Sequence, residues 1–287
     1  MKLLFALATA ALLAPAADRV TLLYDSHGAP GLATGWGYSA YIEYRGKRIL
    51  FVTGDSRAAL AANAKALGVD LAKLDAVVVS HDDPDHYAGL DAVLAVNPRV
   101  PVYVPDVDSG AFATGMMNHI YRAIQSALPG QHIVDAPSGA LYIRVRDAQD
   151  ILPGVRLISL PFDSGQRREQ SLVLDTEAGG VLIAGCSHPG IVELVRAAGP
   201  KVRTAAGGFH LTTTGEADVR KTVEALRQAG IQKVYPAHCT GRFATDELRR
   251  TFGAGFGMAA AGGAIPLDTL NAPPTSAPQP KRPPPGR

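Results

Sequence analysis

The sequence predicts an α/β (α+β) protein arranged as a four-layer αββα sandwich of helix, sheet, sheet and helix. Two observations carry this reading: strand-like runs fill both halves of the chain, and each half closes in helical segments. A third is that residues with metal-binding chemistry gather where the strands end, which places a site at a rim or cleft.

In the first half, strand-like runs occur at Val20 to Tyr24, Tyr38 to Tyr44, Arg48 to Val52, Val77 to Ser80 and Val102 to Val104. A helical pattern from Ser56 to Leu67 intervenes and closes at Gly68. The second half offers strands near Leu141 to Val145, Val155 to Leu160, Ser171 to Leu174 and Val181 to Ala184, then short helices after Pro189. A longer helix is expected from Glu216 to Ala229, where Val219, Val223 and Leu226 share one face and pack on a sheet. The segment Asp106 to His132, with Met116, Met117, His119 and Tyr121, reads as an inserted helix or lid beside the site.

A chain of 287 residues that is 47% hydrophobic buries a substantial core. Net charge is only +2, with the basic residues scattered, and aromatics make up 6%, so neither an electrostatic stripe nor a stacking platform for nucleic acid is present. The expected partner is a small-molecule substrate. Residues 1–17 have the outline of a signal peptide: Lys2, an apolar run from Leu3 to Leu13, and small residues at Ala14 and Ala16. That run is shorter than the roughly 20 residues a membrane span needs. The expectation is export, to the periplasm or outside the cell, with no membrane span in the mature protein. A folded domain is expected over 18–270, followed by a disordered Pro-rich tail over 271–287.

The sharpest signal is Ser80-His81-Asp82-Asp83-Pro84-Asp85-His86-Tyr87-Ala88-Gly89, directly after the apolar run Ala76 to Val79. His81, Asp83, Asp85 and His86 offer imidazole nitrogens and carboxylate oxygens, a donor set suited to zinc, manganese or iron. An acidic solvated turn accounts for the aspartates but not for two histidines within six residues. Three more histidines sit at strand-to-loop junctions, in Gly185-Cys186-Ser187-His188-Pro189-Gly190, Gly207-Gly208-Phe209-His210 and Pro236-Ala237-His238-Cys239-Thr240-Gly241. Cys186 and Cys239 are open to three readings: a disulfide, a role at or near a metal, or two buried small apolar side chains.

The loop resembles the HxHxDH signature of the metallo-β-lactamase superfamily. The blocks GWGYSAYIEYRGKRILFVTGDS, ALGVD, SLVLDTEAGGVLIAGCSHPGI, GGFHL and PAHCTG resemble the branch of 7,8-dihydropterin-6-methyl-4-(β-D-ribofuranosyl)-aminobenzene-5'-phosphate synthase-like proteins, over about Leu23 to Gly262. The resemblance implies the αββα metallo-β-lactamase sandwich, with the site at one edge between the sheets. It implies that His81 and Asp83 serve one ion and Asp85 and His86 a second, with His188 and His238 as further ligands. Cys186 or Ser187 falls near a position where many members carry a bridging aspartate, and His210 is either a ligand or faces substrate.

Two departures stand out: Asp83 occupies the place of the family's second histidine, and Val52 occupies that of a supporting aspartate, a loss that Asp55 would have to make good. One ion is therefore as open as two. The expected activity is that of a hydrolase in which metal-activated water attacks a small-molecule ester, lactone, amide or phosphoester, with Asp85 as the catalytic carboxylate. His210 or His238 would stabilise developing negative charge, and Tyr87 either donates a hydrogen bond there or, as such a tyrosine more often does, simply packs. The alternatives are a catalytically silent metal- or ligand-binding relative and an iron-dependent redox member.

Overall fold

A computed structural model describes residues 18–106, 133–135 and 139–267. The expected leader over 1–17, the tail over 271–287, and the Met116, Met117, His119 and Tyr121 segment lie outside the described residues.

Two sheets form the body of the molecule. The first holds β1 (Arg19–Tyr24), β2 (Ser39–Tyr44), β3 (Lys47–Phe51), β4 (Ala76–Val78), β5 (Pro101–Pro105), β6 (Ile133–Asp135), β7 (Leu141–Val145) and β14 (Ala264–Pro266). Its order is β14-β1-β2-β3-β4-β5-β7-β6. The second holds β8 (Gln149–Leu152), β9 (Val155–Phe162), β10 (Arg167–Thr176), β11 (Gly179–Ala184), β12 (Val202–Gly208) and β13 (Lys233–Ala237), in the order β13-β12-β11-β10-β9-β8. Helices α1 (Arg57–Ala66) and α3 (Leu90–Leu94) cover the first sheet. The outer face of the second is covered by α4 (Ile191–Ala198), α5 (Glu216–Gln228) and α6 (Arg242–Phe252).

Three cores make the four layers. Side-chain alternation sends Ile49 and Phe51 of β3, Leu172 and Leu174 of β10, and Val181 and Ile183 of β11 into the space between the sheets. The intervening Leu50 packs under α1, while Val173 and Leu182 pack under α4 and α5. These strands are buried on both faces, which is why they read in sequence as continuous apolar runs rather than alternating ones.

The expected elements are present, with two instructive differences. Strand β10 begins at Arg167 rather than Ser171, because Arg167 to Gln170 continue in antiparallel register against Phe162 to Ser159 of β9 despite their polarity. Strands β12 and β13 were visible only as histidine-bearing strand ends. The first is Ala- and Gly-rich and is held by parallel pairing on both sides; the second carries Pro236, tolerated because β13 is the edge of its sheet.

The acidic loop after β4 is docked onto the ends of the first sheet. The Thr53 amide donates to the His86 carbonyl at 2.8 Å, and the Gly89 amide donates to the Gly54 carbonyl at 3.2 Å. Short helix α2 (Pro84–Tyr87) starts with Pro84 in its first turn, where the missing amide costs nothing, and carries Asp85 beside it. A Cβ at Gly89 would stand 2.1 Å from the Thr53 carbonyl oxygen, so only glycine lets the loop lie this close. Gly89→Ala is expected to destabilise the fold by about 2–3 kcal/mol, lowering the thermal midpoint by roughly 4–12 °C in a calorimetric scan. An unchanged midpoint would show that the loop is not held against Thr53.

Candidate metal centre

The five histidines singled out in the sequence converge in a chain of neighbouring rings. Ring centroids lie 4.2 Å apart for His81 and His86, 4.6 Å for His81 and His188, 4.9 Å for His86 and His238, and 4.4 Å for His188 and His210. His81 and His86 are fully buried, and His238 nearly so.

Two ligand groups emerge. In the first, Asp83 Oδ2 faces His81 Nε2 at 3.3 Å and His188 Nε2 at 3.6 Å. In the second, Asp85 Oδ2 faces His238 Nε2 at 3.2 Å and His86 Nε2 at 3.6 Å, while the two Nε2 atoms are 3.3 Å apart. Four ligands at about 2.0–2.1 Å from one tetrahedral ion would stand about 3.3 Å from each other. The spacing within each group therefore fits a cation. Cys186 belongs to both: its Sγ lies within 4.8 Å of ligand atoms of His81 and His188, and of His86 and His238. It is 3.2 Å from His86 Nε2.

The surrounding hydrogen bonds set the tautomers that such a centre needs. Glu169 Oε2 lies 2.9 Å from His188 Nδ1; a carboxylate only accepts, so Nδ1 carries the proton and Nε2 is left bare toward Asp83. Ser80 Oγ stands 2.9 Å from His81 Nδ1 and 3.4 Å from His86 Nδ1. With two lone pairs it can accept from both rings, which again leaves both Nε2 atoms facing inward. His81 Nε2 is buried and makes no well-formed hydrogen bond of its own, as expected of an atom whose partner is a cation. Burial pushes the His86 pKa well below the usual imidazole value. His86 is therefore neutral and ready to ligate.

Glu169 and Asp25 were not legible as site residues. Glu169 is fully buried and accepts the amides of Cys186 (2.8 Å), Ser187 (2.7 Å) and His188 (2.7 Å) as well as the imidazole. Burial opposes its charge, but the hydrogen bonds from the His188 ring and backbone hold its pKa down at about 2. The signal that could have found it is a polar pair, charged Glu169 and neutral Gln170, opening the buried run that continues through Leu174. Asp25 plays a parallel part, accepting the His238 amide at 3.0 Å.

Other expectations are corrected. Val52 leaves no carboxylate in its place, and the nearby Asp55 adds to burial in raising the Tyr24 pKa to about 12. Of the two readings of Tyr87, packing is the one found: it lies in the core beneath the first sheet. Ser187 turns its hydroxyl to the Gly208 carbonyl at 2.6 Å, so of the two residues Cys186 is the one that faces the histidines. The two cysteines are free thiols, both buried. His210 is exposed at the mouth, and the neighbouring Cys239 raises its pKa. Trp36, the one tryptophan, is 56% exposed and lies 5.0 Å from the His238 ring, while Phe162 stacks on His188 at 4.7 Å.

Substituting Glu169→Gln presents an amide N–H₂ to backbone donors and to His188, and is expected to lower metal affinity by on the order of 10–100-fold in competition titrations. The depressed pKa makes the carboxylate's contribution to stability fully present above about pH 4.5 and progressively lost as pH falls toward about 2. Denaturation at a series of pH values should therefore show the wild-type advantage over the variant shrinking through that acid window. An advantage constant with pH would mean that the charge of Glu169 is not what holds the turn.

Residues 34–238 match the metallo-beta-lactamase superfamily. Among curated proteins, the chain is 28% identical over 225 residues to 7,8-dihydropterin-6-methyl-4-(beta-D-ribofuranosyl)-aminobenzene-5'-phosphate synthase of Methanocaldococcus jannaschii, covering 68% of this chain and 76% of that protein. Among solved structures, it resembles a metal-dependent hydrolase of the β-lactamase superfamily with TM-score 0.69 and 24% identity, covering 88% of this chain and 100% of the other. It also resembles the metallo-beta-lactamase fold protein YhfI of Bacillus subtilis with TM-score 0.60 and 14% identity, covering 87% and 99%. With two sheets flanked by helices and clustered histidine, aspartate and cysteine ligands at their edge, the chain belongs to the metallo-β-lactamase superfamily.

Proposed function

We propose that this protein is a metal-dependent hydrolase of small-molecule esters, lactones, amides or phosphoesters. The observation that carries the proposal is the pair of ligand groups, each with two imidazoles and one carboxylate, on either side of Cys186. A cation bound there would lower the pKa of a coordinated water to about 7 and polarise a carbonyl or phosphoryl oxygen.

The protein's own residues supply the rest. Asp85 faces His86 and His238 and still reaches solvent, so its carboxylate is placed to orient the attacking water and take its proton. His238 is committed to the ligand group through Nε2, which leaves His210, at the mouth, to donate to the oxygen that gains negative charge. Trp36 and Phe162 border the centre with apolar surface and limit water around a bound substrate.

Imidazole, carboxylate and a shared thiolate suit zinc or iron better than manganese, since sulfur is a soft donor, and one or two ions would fill the two groups. A silent relative was suggested by Asp83 and Val52; the Asp83 carboxylate faces both histidines of its group, so only the carboxylate missing at Val52 still favours that alternative. The pterin substrate in the archaeal relative's name is not carried over, because substrate choice belongs to the pocket and not to the fold. Export to the periplasm or beyond is part of the proposal, resting on the pattern from Lys2 to Ala16.

Elemental analysis of the purified protein should find one or two equivalents of zinc or iron. Asp85→Asn is expected to reduce turnover on a panel of esters, lactones and phosphoesters by on the order of 10²–10⁴-fold. A metal-loaded wild-type protein with no hydrolysis across the panel would instead support the binding relative, and oxygen-sensitive iron would support the redox reading.

A further inference from the structure

A third group with metal-binding chemistry lies beside the two already described. Cys186, His210 and Cys239 each offer one ligand atom, and these atoms all lie within 4.8 Å of one another. The hydrolysis proposed above asks nothing of Cys239, yet the fold goes to some length to bring its sulfur here. Its carbonyl is fixed by the Leu211 amide at 3.1 Å, the Thr212 amide at 3.2 Å and the Thr212 hydroxyl at 2.6 Å. Gly208 makes the room: a Cβ there would meet the Gly185 carbonyl oxygen at 2.3 Å, Cys239 Sγ at 2.8 Å and Cys186 Cα at 3.2 Å. Both sulfurs are buried, whereas His210 stands exposed at the rim, so the group is closed behind and open in front.

The geometry points to a third cation position, selective for a thiophilic ion such as zinc or cadmium, formed by Cys186 Sγ, Cys239 Sγ and a ring nitrogen of His210. Tetrahedral bonds of about 2.3 Å to sulfur and about 2.0–2.1 Å to nitrogen set ligand atoms about 3.6–3.8 Å apart, so modest side-chain rotation closes this group on an ion. Binding ionises two S–H bonds, sends two protons to solvent and forms two metal–sulfur bonds, with no change of oxidation state. Cys186 is common to all three groups. A cation at the third position therefore draws away the sulfur that the other two share, and thiophilic metal in excess acts as an antagonist of the main centre. The site stands on its own geometry whether or not the main centre hydrolyses anything.

The test uses the full chain, stripped of metal and given a single equivalent of cadmium, with sulfur neighbours counted by X-ray absorption and the thiolate-to-cadmium charge-transfer band followed in the ultraviolet. Two sulfurs per cadmium are expected in the wild type and one in Cys239→Ser, with roughly half the band lost. His210→Ala should keep both sulfurs and require more cadmium to saturate. One sulfur in the wild type, or an undiminished band in Cys239→Ser, overturns the proposal, because cadmium would then sit with Cys186 in the main centre. Should Cys239→Ser fail to fold, the wild-type sulfur count decides alone. No step measures hydrolysis, so this proposal and the hydrolase reading fail separately.

Discussion

The centre depends on one buried charge. Placing a carboxylate such as Glu169 inside a sheet costs several kcal/mol unless donors surround it, and here three consecutive amides and one imidazole do so. The consequence runs outward from that point. To aim three successive N–H groups at one carboxylate, the chain must turn sharply after β11, and it does so with Ser187 in the left-handed region at φ 66°. The turn then delivers Cys186 to the space between the two ligand groups and His188 to the first of them. A counterpart sits on the other side, where Asp25, on the first sheet's side of the cleft, receives the amide of His238 from the second. Each late ligand loop is thus tied by its backbone to a buried carboxylate.

The same logic accommodates the aspartate that replaces a histidine in the signature loop. Asp82, Asp83 and Asp85 would repel one another without a counter-charge, and Arg167 at the start of β10 supplies it, pairing with Asp82 and with Asp83 Oδ1. Burial works against the charge of Asp83, but His81 and Arg167 together hold its pKa far below the ordinary carboxylate value. Because the guanidinium engages Oδ1, Oδ2 is directed at His81 and His188. The substitution thus exchanges a neutral nitrogen for an anionic oxygen and brings its own balancing cation. Arg167 also lies 4.7 Å over the Phe162 ring, which stacks on His188, so one side chain braces the loop and the wall of the site together.

Much of this was legible in the chain because it is encoded locally. Short continuous apolar runs marked the strands, Ser56 announced α1 and accepts the Ala59 amide as its cap, and histidines clustered at strand ends marked the candidate ligands. What escaped is encoded across the sequence. Glu169 and Asp25 look like ordinary surface acids until the backbone amides they satisfy, 17 to 19 residues and 213 residues away, are folded onto them. Strand β12 escaped for a related reason: Val202-Arg203-Thr204-Ala205-Ala206-Gly207-Gly208 has little intrinsic strand preference and is made extended by its two neighbours. The grouping of Cys186 with both sets of histidines likewise depends on the fold, since the His86 imidazole 3.2 Å from its sulfur comes from 100 residues earlier in the chain.

Strain completes the account of how the centre is held. Val52, Ser187, His210 and His238 all adopt left-handed backbone, with φ between 49° and 66°, and for a β-branched residue such as Val52 that conformation is a rarity. Each costs on the order of 1–3 kcal/mol. They persist because the elements on either side are locked by three packed cores, with Val52 itself enclosed between the sheets. The folding energy of those cores therefore maintains the ligand geometry. A small zinc domain, by contrast, obtains its fold from the ion. A cation that binds these groups would add its own stabilisation by mass action to that of the three cores.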